Sequence, residues 1–116
     1  MLWCLGWAAV AALSLVPPAA IPNVGNDKLA HMLVYAWMAA AAVSFCRCPA
    51  RLAVLALVTM LAGGALELAQ GMVAHRHLDV ADAVANGIGA TLGYLVALAA
   101  LLVVRRPWLQ GSPSPS

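Results

Sequence analysis

The chain has 116 residues, 65% of them hydrophobic and only 9% charged, with a formal net charge of +2. Soluble domains carry about 25% charged residues, so this composition and a mean hydropathy of +0.94 weigh against a water-soluble domain. The few charges are spread along the chain, which excludes a basic patch for nucleic acid, and three cysteines, an odd number, do not make a disulfide framework.

Four apolar stretches follow one another, each near the ~20 residues that cross a bilayer core. The first covers residues 2–20 and is broken near its end by Pro17 and Pro18. It has no Lys or Arg at its start and only a weak Ala19-Ala20 cleavage site, so a retained helix is expected rather than a signal peptide. The second covers residues 28–46. Cys46 and Cys48 follow it as two thiols without a second pair, and read as small residues at a helix end rather than a zinc site. The third covers residues 51–72 and the fourth residues 80–104. Short connections make neighbouring helices antiparallel. Residues 107–116, rich in Pro and Ser, are expected to be a disordered tail. The predicted fold is therefore all-α: an integral membrane bundle of four transmembrane helices, forming one domain over residues 1–106.

Arginine placement predicts the orientation. Arg47, Arg51, Arg105 and Arg106 fall on the side of the N-terminus, against Lys28 and Arg76 on the other. This puts both termini in the cytoplasm of a multi-pass protein of the cell (inner, cytoplasmic) membrane, and the cysteines near its reducing side.

The polar residues gather on the opposite, outer side. Asp27, Glu67, Asp79 and Asp82, with His31, His75 and His77, all map there, as do Lys28, Gln70, Arg76 and Asn86. At about 100° per residue, Asp27, Lys28, His31 and Tyr35 share an arc of about 100° on the second helix. Gly63, Glu67 and Gln70 share about 60° on the third. Asp79, Asp82, Asn86, Gly89 and Gly93 share about 80° on the fourth. Gly89 and Gly93 form a small-xxx-small pair that admits a close neighbour, and Gly63 or Gly64 can do the same on the third helix. Ionisable groups in a membrane face the bundle interior and pair there, so the three stripes should turn inward around one cluster. Glu67, alone among apolar residues, needs a partner. Arg76 is the best available, ahead of Lys28 and His31, because its planar fork meets a carboxylate at two points.

These residues resemble the VanZ-like family of small bacterial membrane proteins, named for a teicoplanin-resistance accessory protein. The likeness rests on Asp27-Lys28-x-x-His31-x-x-x-Tyr35, then Glu67-x-x-Gln70, then Arg76 with Asp79, Asp82, Asn86, Gly89 and Gly93 following. It spans about residues 27–95. His75 and His77 stand where the family pattern has a Gly and a small hydroxyl residue. The resemblance implies a membrane protein of the bacterial envelope, linked in some members to glycopeptide susceptibility, and implies no particular reaction.

Several functions fit. The cluster can bind or modulate a lipid, a lipid-linked cell-wall precursor or a membrane protein. As an alternative, Glu67 and Asp82 serve as acid and base on a lipid-linked substrate, with His31 as shuttle. Against an enzyme, no nucleophile motif and no Gly-rich phosphate loop is present. His75, His77, Asp79 and Asp82 are a weak metal set, because the histidines sit in a loop, so neither a metal nor another cofactor is expected. Transport would need an oligomer. The plainest reading is a hydrogen-bonded network that only fixes helix register.

Overall fold

A computed structural model describes residues 1–14, 27–73 and 79–109. These form four helices: α1 (Leu2–Ser14), α2 (Asp27–Ala41), α3 (Pro49–Val73) and α4 (Val80–Leu109), with a 3-10 turn (Ala42–Ser44) closing α2. No strand occurs among the described residues. α3 and α4 are long and apolar enough to cross a membrane, over Pro49–Met72 and Val80–Arg105, whereas the apolar parts of α1 and α2, Trp3–Leu13 and Lys28–Ser44, are shorter. The far end of the first apolar stretch, with Pro17 and Pro18, lies outside the described residues.

Local chemistry sets the helix ends. α3 starts on Pro49, two residues before the expected Arg51. Proline suits a first helical position, where its missing N–H has no intrahelical partner to lose. Cys48 precedes it, and its carbonyl accepts the Leu52 N–H at 2.9 Å. Asp79 caps α4: its Oδ1 accepts the Ala81 N–H at 2.9 Å, satisfying a donor with no intrahelical partner. At the far end α4 runs on through Pro107, Trp108 and Leu109, past the boundary expected at Arg106. The helix thus reaches three residues into the stretch expected as tail, and the φ that proline fixes is itself helical.

α4 is the centre of the bundle, with α2 as its main neighbour and α3 beside both. The α2–α4 crossing runs over glycine. A Cβ on Gly89 would strike the Met32 carbonyl oxygen, and one on Gly93 would strike the Ala36 carbonyl oxygen and lie 2.8 Å from Ala39 Cβ. Met32 meets Gly89 and Ala36 meets Gly93 in the same chain direction, so α2 and α4 are parallel. α3 runs against both: Tyr35 lies on Gly63, Met60 touches Gly87, and Ala42, Leu52, Ala97 and Leu101 form a buried cluster at the other end. α1 is antiparallel to α2. The Trp3 indole N–H donates to the Met38 carbonyl at 3.1 Å, and Trp3 and Trp7 meet Phe45 and Tyr35 edge to face. The start of α1, the 45–48 connection and Arg105, whose guanidinium donates to the Arg47 carbonyl at 2.7 Å, therefore share one end. The starts of α2 and α4 share the other.

Candidate functional site

The polar site occupies the end where α2 and α4 begin and α3 finishes. At its mouth the Lys28 ammonium donates to Asp79 Oδ2 at 3.1 Å and lies 3.7 Å from Asp82 Oδ1. Lys28 and Asp79 are about half exposed, whereas the Asp82 side chain is only 14% exposed. Asp79 holds its carboxyl below the usual carboxylate range, first because the Ala81 N–H at the start of α4 donates to it and then because Lys28 lies beside it.

One helical turn further in, His31 Nε2 is 3.8 Å from Glu67 Oε1, both largely shielded from solvent. That separation is an ion-pair distance, longer than a hydrogen bond. It gives Glu67 a partner on α2. Arg76, the partner expected from sequence, lies outside the described residues, as do His75, His77 and the side chain of Asp27. Below His31 the Tyr35 ring is buried and fills the space left by Gly63, where an added Cβ would be 2.6 Å from its Cε1. Gln70 is buried on α3.

Asn86 is different in kind. It is fully buried on α4, one turn from Asp82 on the same face, and among the described residues neither its Oδ1 nor its Nδ2 has a hydrogen-bond partner. Asp82 Oδ1 is likewise buried without one. By contrast, Thr59, also a fully buried polar side chain, donates to the Leu55 carbonyl at 2.8 Å within its own helix.

The structure thus brings together Lys28, Asp79 and Asp82 at the mouth and His31 with Glu67 beneath it. Tyr35, Gln70 and Asn86 are buried around the same end of the bundle, with Gly63, Gly89 and Gly93 closing the helices on one another. Among the described residues no group of three or more His, Cys, Asp and Glu is placed to hold a metal ion. Sequence reasoning missed the aromatic set of Trp3, Trp7, Tyr35 and Phe45, although Trp3 and Trp7, four residues apart on one face of α1, were the available signal. It also did not pair Lys28 with Asp79 and Asp82. Compared with known proteins, the chain matches no family model, no curated protein and no solved structure.

Proposed function

We propose that this is a VanZ-like protein of the bacterial cytoplasmic membrane, a bundle of four membrane-crossing helices whose outward end binds or modulates a lipid, a cell-wall precursor or a membrane partner. The carrying observation is the convergence of Lys28, Asp79, Asp82, His31 and Glu67 from three helices on one end of a largely apolar bundle. Such a concentration of ionisable groups in an apolar setting marks a functional site by default.

The bilayer setting is supported by burial. In α3 and α4 only 22% and 28% of the most apolar stretch is buried inside the protein, whereas a core helix of a soluble protein would be covered. Leu61, Leu68, Leu102 and Val103 are among many large apolar side chains more than half exposed. An apolar solvent suits such a surface; water does not. The shorter α2 reaches nearly the same length as a span once its 3-10 turn is added, about 28 Å at the usual rise per residue. The arginines of the opposite end favour the cytoplasm.

The test is genetic. Deletion should change glycopeptide susceptibility or the pool of lipid-linked wall precursors. Wild-type protein should restore the original state, and Glu67→Gln protein of equal abundance should not. Restoration by Glu67→Gln would remove the functional claim on the cluster. A membrane enzyme is the second reading, favoured by the imidazole of His31 beside the Glu67 carboxylate, an arrangement suited to proton transfer. It requires a chemically altered lipid in the deletion strain, which binding alone does not produce.

A further inference from the structure

We propose that the site takes an amine-bearing zwitterion, a primary ammonium close to an oxyanion, on Asp82, Asn86 and Lys28. This rests on the reading of the cluster as a binding site and names what it binds.

Three atoms define the need. Among the described residues, Asp82 Oδ1 and Asn86 Oδ1 are buried acceptors without a hydrogen-bond donor, and Asn86 Nδ2 is a buried donor without an acceptor. Asn86 is completely shielded, so water at the protein surface does not serve it. A buried amide left in this state is costly, and native structures keep few such groups. The acidic pair at the start of α4 is therefore joined by an independent sign that a group is missing.

Charge selects the group. Among the described side chains this end carries Lys28 against Glu67, Asp79 and Asp82, a net −2 with His31 neutral. The site therefore favours a cation. It has already accepted one: the Lys28 ammonium sits on Asp79 at 3.1 Å yet stops 3.7 Å short of Asp82 Oδ1. A ligand ammonium can complete what Lys28 leaves undone, donating to Asp82 Oδ1 and Asn86 Oδ1. A quaternary ammonium has no N–H and cannot. Asn86 Nδ2 then requires an acceptor on the same ligand, and Lys28, exposed and long, is placed to meet the accompanying phosphate or carboxylate. Asp82 is slightly exposed, and Asn86 lies one turn, about 6 Å, further along α4.

Two sources carry this chemistry, an ethanolamine-type lipid headgroup and a free aminoalkyl phosphate. The experiment places the full chain in phosphatidylglycerol nanodiscs doped with phosphatidylethanolamine, its N-methyl and N,N-dimethyl forms, or phosphatidylcholine. Retained lipid is read by native mass spectrometry and the melting temperature by tryptophan fluorescence. Retention of the phosphatidylethanolamine should exceed that of phosphatidylcholine at least tenfold and fall with each methyl added. Asp82→Asn and Asn86→Leu should each abolish that preference, while Arg51→Gln at the opposite end keeps it. Free phosphoethanolamine that raises the melting temperature equally well assigns the soluble source; no effect from it assigns the lipid. Equal retention across the methylation series overturns the proposal on wild-type protein alone, whether or not the variants fold. If that happens while Glu67→Gln still fails to complement the deletion, the site stands and only the amine assignment falls. If both tests fail, the functional reading falls with it.

Discussion

At the scale of single residues, Glu67 and His31 carry the clearest coupling. Each is largely withdrawn from solvent and they lie 3.8 Å apart on different helices. Removing one side of a shielded polar pair leaves the other without that partner. Glu67→Gln and His31→Gln should each destabilise the protein, and the double change should cost less than their sum by about 0.5–3 kcal/mol. Chemical denaturation of the four proteins in one detergent measures this. Strict additivity would leave Glu67 to other groups at the site. The sequence made Glu67 conspicuous as a charge in an apolar run and named His31 among its partners, but which turn of α2 faces Glu67 could not be judged from spacing alone. Asn86 was legible as an inward residue of α4. Its lack of partners was not, since that depends on every neighbour at once.

At the scale of elements, the glycines separate contact from vacancy. Gly93 presses on the Ala36 carbonyl, whereas nothing lies within 4 Å of the place a Cβ on Gly64 would take. Gly93→Ala should therefore lower stability by at least about 1–3 kcal/mol, the usual cost of overpacking. Gly64→Ala should be neutral or raise stability by up to about 1 kcal/mol, because alanine is the better helix former. Melting temperatures in a common detergent compare them, and equal effects would mean that α2 does not cross α4 at Gly93. The pattern Gly89-x-x-x-Gly93 was readable as a close-contact stripe from spacing alone. Which of Gly63 and Gly64 meets a neighbour was not, because adjacent residues differ by about 100° around the helix and only the position of Tyr35 decides between them. The helix starts were readable within two residues. The continuation of α4 through Pro107 was not, because proline signals a stop more often than it enforces one.

At the scale of the whole molecule, the two ends differ in chemistry. The polar site sits at one. Arg47, Arg51 and Arg105 sit at the other, around Cys48, where the thiol is held below its usual range, chiefly by the backbone N–H groups of Arg51 and Ala50 at the start of α3. That cysteine reports orientation. With Cys4 and Cys46 changed to serine, a membrane-impermeant maleimide should label Cys48 in inverted membrane vesicles and not in intact spheroplasts. The opposite result would turn the polar site toward the cytoplasm and remove the support for an outward function.

The parallel crossing of α2 and α4 has a mechanical side. Gly89 and Gly93 offer Met32 and Ala36 a track without side chains, and the next residue along that face of α2 one turn on is Ala40, again small. Such a track leaves backbone contact, rather than interlocking side chains, to define where the two helices meet. Two obstacles hold them in place. Tyr35 is lodged at Gly63 of α3, and Lys28 is tethered to Asp79 and Asp82 at the head of α4. The first obstacle is steric and permanent, whereas the second is an exposed ion pair that a competing charge can release. The register of α2 against α4 is therefore held at two levels, by the Tyr35 ring lodged on α3 and by the Lys28 charge at the head of α4.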